Sequence, residues 1–518
     1  MRASLVLIAA AVAASGVIQQ QPAPAAPFRV EETTIAQIHD AMKAGRLTCH
    51  ALVDAYLRRI DAYDKNGPSL NAIVVVNPDA LKQADDLDRR YAQGGFTGSL
   101  HCIPAIVKDN FETIGLQSAA GSLALKGFVS NKDACLVKRI KDAGAIVLAK
   151  SNMAEWAFSP YETVNSLLPG YTRNPYALDR VTAGSSGGTA AAVAADFGAI
   201  GLGSDTGNSI RGPSSHQSLV GIRSTMGLTS RAGVVPLSML ADIAGPMTRT
   251  VEDAAAVFQV IVGEDPDDPV TAASRGRPTP NYGQALQRDG LKGARIGILR
   301  QAYERDTTDA EIVDVFMAAV EDLKRAGVTI VDPVRVDLQN VRRPQGEGPC
   351  QGFKYDLNHY LAAQGDRVPV HSLEEVIRSR KFHPSVQVRL QSAQDGPENG
   401  PETPACKAEM EYREAFRAAV SKAMDDQKLD AFVYPTWSNP PRLIGDLNTP
   451  HGDNSQVFSP TTGWPAINVP MGYTRGTLPI GMTIFGRAWS EATLIKFAYS
   501  YEQATRHRHA PASAPPLR

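Results

Sequence analysis

The chain is poor in cysteine, nearly free of net charge and without a membrane-length apolar run, and each shortage narrows what it can do. Its five cysteines, Cys49, Cys102, Cys135, Cys350 and Cys406, are scattered. None has the close pairing of a zinc site, so no metal centre is expected. An odd number leaves at least one thiol free unless it bridges to another chain, and Cys350 with Cys406 is the candidate disulfide for an oxidising compartment. Formal net charge is −1 with 21% charged residues, which provides neither a basic field for nucleic acid nor an acidic tail. There is no low-complexity linker and no repeat with a period of about 20 to 50 residues, which excludes a solenoid. The apolar run Leu5 to Ala14 falls short of the roughly 20 residues of a transmembrane helix. Preceded by Arg2 and followed by Ser15, Gly16 and a Gln, Pro and Ala tract to Pro27, it reads as a secretory signal peptide. Residues 1–26 are thus an expected leader and 27–518 an exported, periplasmic or secreted domain with no stable membrane anchor.

Glycine, in contrast, is plentiful at 43 residues, and two glycine-rich segments carry the chemistry. Ala183-Gly184-Ser185-Ser186-Gly187-Gly188-Thr189 is followed shortly by Gly201 to Pro213, which reads GLGSDTGNSIRGP. Acyl transfer needs a nucleophilic hydroxyl, a base, and N–H donors aimed where the carbonyl oxygen becomes negative. Turns rich in glycine let the main chain approach a reacting carbon closely, so Asp205-Thr206-Gly207-Asn208-Ser209 places Ser209 among such donors.

The base is the harder question, because His216 is the only one of ten histidines near either segment. A lysine serves instead if burial lowers its pKa. Lys108 ends the run Leu100-His101-Cys102-Ile103-Pro104-Ala105-Ile106-Val107-Lys108, where an apolar strand carries the ammonium inward.

In this order and spacing, Lys108, the Gly-Ser-Ser-Gly-Gly run and the Asp-Thr-Gly-Asn-Ser-Ile-Arg run resemble the amidase signature family. Ala145 to Glu155, Thr462 to Pro470, Leu478 to Gly486 and the closing helix through Tyr501-Glu502-Gln503 are similar too, so the resemblance spans nearly the whole chain after residue 30. It implies a Ser-cisSer-Lys triad, with Lys108 as base, Ser185 as bridging serine and Ser209 as nucleophile. The main-chain N–H groups of Thr206, Gly207, Asn208 and Ser209 would form the oxyanion hole. No cofactor is implied. The implied substrate is a small carboxamide, an amidated peptide or an N-acyl amine, with no nucleic-acid partner. The alternatives are a catalytically silent binding protein or a glutamine amidotransferase subunit.

Three departures from the family pattern bear on that reading. Asn208 stands where a glycine is usual, and asparagine is the least damaging replacement if the position needs a positive φ. Its amide is a candidate extra donor near the oxyanion or a filter against bulky acyl groups. Cys102 also replaces a glycine and reads as a small buried filler. Ile222-Arg223-Ser224-Thr225 replaces a lysine-proline-threonine run and is expected to alter a supporting turn. A competing reading takes Ser186 as the centre of a GxSxG elbow of an α/β-hydrolase. That elbow requires a strand immediately before it, whereas Tyr171 to Thr182 is polar, contains Pro175 and lacks strand alternation.

The remaining pattern is α/β: a large mixed β-sheet core with helices on both faces, in a single domain. Ile35, Ile38 and Met42, then Leu52, Val53, Tyr56, Leu57 and Ile60, recur at helical spacing, while 72–76 and 145–148 read as buried strands. Residues 293–299 and 328–333 bracket a helix over 310–324, with Gly327 at the turn. Between 340 and 405 the chain is rich in Gly, Pro and charge, with one helix around 353–361, and is expected to cover the substrate. Met153, Trp156, Phe158 and Tyr161, with Tyr171, are the expected pocket lining.

Overall fold

A computed structural model describes residues 28–345 and 348–517; the expected leader lies outside them. Eleven strands form one sheet: β1 (Ile73–Val76), β2 (Pro104–Lys108), β3 (Ile146–Ser151), β4 (Ile200–Asp205), β5 (Val220–Arg223), β6 (Ile243–Thr248), β7 (Arg295–Ile298), β8 (Thr329–Val331), β9 (Ala431–Pro435), β10 (Ala466–Thr474) and β11 (Leu478–Phe485). Their spatial order is β1-β3-β2-β4-β6-β5-β10-β11-β9-β7-β8. The pairing is mixed: β2 lies parallel to β3 and β4, and β7 to β8 and β9, while β4–β6, β5–β10 and β10–β11 are antiparallel. Every residue of β2, β3, β4, β6, β9 and β11 is buried. Since successive side chains point to opposite faces, both faces are covered.

Local chemistry sets the helix boundaries. The helix Ile35–Lys43 begins at a Thr34–Gln37 capping box, and Cys49–Ile60 at Thr48, whose hydroxyl accepts from Ala51 N. The strand, helix and strand read from 293 to 333 form as β7, the helix Ala310–Arg325 and β8, joined by Gly327 at φ +91°.

Two expectations are corrected here. Cys102 is not a filler: it forms a disulfide with Cys49, the first residue of the helix Cys49–Ile60, across a Cα–Cα distance of 5.6 Å. The partners are 53 residues apart, so no local spacing announces the pair. Cys102 sits at φ +61°, a backbone region that favours glycine and explains why glycine is usual there. The second bridge, Cys350–Cys406, is the pair marked from the sequence. Cys135 remains free and partly buried, with its thiol pushed up to about 11 by burial.

The segment over 340–405 also holds more regular structure than its composition suggested. Three α-helices, Phe353–Gln364, Leu373–Ser379 and Gln387–Asp395, stand where one was expected. Phe353, Leu357, Leu361, Leu373, Val376 and Leu390 pack with Met153, Trp156 and Phe158 into a hydrophobic cluster separate from the main core. The spaced apolar residues were diluted among charges, which hid the helical period.

Candidate active site

Lys108 closes the fully buried β2, and its parallel neighbour β4 carries Ser204 within its reach. Lys108 Nζ donates to Ser185 Oγ at 2.7 Å, to Ser204 Oγ at 2.9 Å and to Ser204 O at 3.3 Å. Asn110 Nδ2 donates to the same Ser204 hydroxyl at 3.0 Å. Burial pushes the Lys108 ammonium down to about 7, against the opposing pull of Asp205 and Asp242. Desolvation wins because no carboxylate bonds to the lysine directly.

Ser185 follows a cis peptide bond after Gly184. A Cβ on Gly184 would stand 2.4 Å from Ser159 O and 2.7 Å from Glu162 O, so only glycine fits this approach. Ser186 is turned away: its hydroxyl donates to Ser204 O at 3.1 Å and its N–H to Ser209 O at 3.2 Å, which ties the two serine segments together. No strand of the sheet immediately precedes it, so the elbow geometry of an α/β-hydrolase is not formed.

Ser209 stands just after β4 and lines a cavity of about 330 Å³ together with Thr206, Gly207 and Asn208. Among the described residues, none of the N–H groups of these four is committed to a protein acceptor. Three buried carboxylates hold the loop that presents them. Asp205 accepts from Ile210 N at 3.1 Å, Arg211 Nε at 3.2 Å and Arg223 Nη1 at 3.0 Å. Burial alone would raise its pKa, but the charges of Arg211 and Arg223 hold it at about 2. Asp242 accepts from Thr206 Oγ1 at 2.5 Å. Asp453 accepts from Asn208 Nδ2 at 2.7 Å and from Gln456 Nε2 at 2.6 Å, and burial raises it to about 6.

These contacts revise the expectations about the departures. Asn208 lies outside the left-handed region, and its amide nitrogen is spent on Asp453, so the side chain serves as a strut for the loop. Arg223 is the last residue of β5, where the sequence suggested a turn, and its guanidinium also reaches the carbonyl oxygens of Asp205 and Ala241. Of the expected pocket residues, Phe158 and Tyr161 line the cavity. Met153 and Trp156 do not: they lie behind the wall in the second hydrophobic cluster, where Trp156 meets Phe353 edge-on at 6.1 Å. Tyr171 bridges to Val164. Sequence reasoning missed Asp453, Asp242, Arg343, Arg389, Glu409 and Arg413. Only the expected covering segment pointed toward any of them, as the source of Arg343 and Arg389.

An amidase family model matches residues 51–495. The chain belongs to the amidase family. A probable amidase of Arabidopsis thaliana is 35% identical over 512 residues, covering 93% of this chain and 92% of the relative. A glutamyl-tRNA(Gln) amidotransferase subunit of Acinetobacter baumannii is 32% identical, covering 91% and 96%. The native peptide amidase of Stenotrophomonas maltophilia superposes with a TM-score of 0.82 at 37% identity, covering 94% of this chain and 100% of that one. The mixed sheet and its helices match that amidase architecture, and the chain is an amide-hydrolysing enzyme.

Proposed function

We propose that this amidase hydrolyses a carboxamide, with an amidated peptide as its leading substrate class, through an acyl-enzyme on Ser209. The observation that carries the reading is the 2.7 Å contact between Lys108 Nζ and Ser185 Oγ at a fully buried lysine driven to about 7. In its neutral form Lys108 accepts the Ser185 proton, Ser185 accepts the Ser209 proton, and Ser209 Oγ attacks the amide carbon. The uncommitted N–H groups around Thr206 to Ser209 receive the oxyanion; one such donor is typically worth about 2.7 to 4 kcal/mol in serine hydrolases. The relay then returns the proton to the leaving amine. Water activated by the same relay cleaves the ester and regenerates Ser209.

The structural likeness favours hydrolysis over ammonia delivery to a partner. The glutamyl-tRNA(Gln) amidotransferase subunit of Thermotoga maritima superposes with a TM-score of 0.68 at 26% identity, below the peptide amidase on both measures. The sequence of residues 1–26 and the two disulfides support a reading of export.

A serine-directed fluorophosphonate with peptide mapping tests the assignment. A single adduct at Ser209, absent from the folded Ser209→Ala chain, is the expected result. An adduct at Ser186 would move the nucleophile, and an unmodified, folded chain that still turns over amides would overturn the acyl-enzyme.

A further inference from the structure

The charged side chains lining the Ser209 cavity are Arg343, Arg389 and Arg413 against Glu409, with the carboxylates of Asp242 and Asp453 buried behind its loop, so the lining itself carries an excess of positive charge in a chain whose totals nearly balance at 53 basic and 54 acidic residues. Two of the arginines are not absorbed by the fold. Glu409 is satisfied by Arg413, whose Nε donates to it at 2.8 Å while Arg413 Nη1 donates to Pro460 O at 3.0 Å and more distantly to Leu240 O and Thr461 O. Arg343 therefore reaches only the far oxygen of an already neutralised carboxylate, at 3.9 Å, with 76% of its side chain exposed. Arg389 donates to Phe158 O and lies over the Phe158 ring at 6.0 Å. Among the described residues no carboxylate pairs with it. Both come from the 340–405 segment, on a different part of the wall from the loop Thr206–Ser209.

We infer that this cavity selects amides carrying a carboxylate set apart from the scissile bond, with Arg343 and Arg389 as the residues that recognise it. The inference rests on the hydrolase reading. For an amidated peptide, everything but the leaving ammonia lies on the acyl side, so the preferred substrates have an acidic side chain upstream of the terminal amide. Guanidinium groups suit this task because they present several donors in a plane that matches a carboxylate. Because both guanidinium groups are exposed at the rim, neither bears the cost of burying an unpaired charge, and their pull on a carboxylate is open to screening by salt.

The test compares three synthetic peptide amides differing only in an upstream Glu, Gln or Lys, with the full chain at low and high salt. The expected kcat/KM ranking is Glu over Gln over Lys, with Glu over Gln about five- to twentyfold at low salt, carried by KM and compressed at high salt. Arg343→Gln with Arg389→Gln should collapse the ratio toward one, and Arg343→Glu should shift preference toward the Lys peptide. Equal KM for the Glu and Gln peptides in the parent overturns the inference, as does a ratio that survives in the double variant. If none of the three is hydrolysed, the peptide-amide reading fails separately. Calorimetry on the Ser209→Ala chain then decides the inference: tighter binding of the Glu peptide supports it and equal affinities refute it.

Discussion

Lys108→Met separates the role of the lysine from its cost to the fold. An ordinary lysine near 10.5 would be neutral in about 1 molecule in 3,000 at pH 7, whereas a Lys108 lowered to about 7 is neutral in about half. The parent kcat/KM should therefore rise through an acid limb centred near pH 7, falling about tenfold per pH unit below it, and the Met variant should lose nearly all turnover. Stability carries its signature in a different window, above pH 7. Between the folded value of about 7 and the unfolded value near 10.5, the unfolded chain holds a proton that the folded chain has released. The parent thus gains stability as pH rises across that window and loses it as pH falls through to 7, by up to about 5 kcal/mol. The variant lacks this term but also lacks three hydrogen bonds to Ser185 and Ser204, together about 1.5 to 4.5 kcal/mol. Near pH 7 the two chains should unfold at similar denaturant midpoints, with the parent pulling ahead as pH rises to 10. Parallel stability curves, or an acid limb absent from the parent, would refute the buried neutral lysine.

Two further outcomes test the scaffold of the loop. Asn208→Gly removes the 2.7 Å strut to Asp453 while leaving the main-chain donors, so turnover should stay within about tenfold of the parent; complete loss would show that the side chain acts on the substrate. Arg223→Met leaves Asp205 with only Arg211 as a charged partner, which should cost about 3 to 5 kcal/mol in urea unfolding. The Asp205 contribution in the parent is present above its unfolded value of 3.8 and is lost as pH falls through about 2. A variant of unchanged midpoint would contradict the role given to that ion pair.

The triad candidates were legible because each sits in a short, glycine-marked or strand-terminal motif, and the resemblance of those motifs to the amidase signature family assigned their roles. Local pattern also made legible the short apolar runs of β1, β3 and β7 and the helical stretch of Ala310–Arg325. The pocket wall was less legible. Met153, Trp156, Phe158 and Tyr161 look alike as apolar or aromatic residues in one segment, yet Met153 and Trp156 are confined to the second hydrophobic cluster, Phe158 both packs there against Phe353 and lines the cavity, and Tyr161 lines the cavity. Which way each points depends on the local backbone, with Trp156 at φ +54° and Ala157 at φ +60°, a conformation that non-glycine residues seldom announce.

By itself the sequence determined the order of chemistry along the chain: a lysine ending an apolar strand, a serine in a glycine run, and a second serine among amides. Those are local properties, written in adjacent residues. Tertiary structure decided what is set by residues far apart: Asp453 reaching Asn208 across 245 positions, Cys49 closing on Cys102, and Arg343 and Arg389 arriving over a cavity built mainly from other segments. It also decided the acidity of Lys108, because a pKa follows from how completely water is excluded around a group, and that exclusion belongs to the assembled sheet.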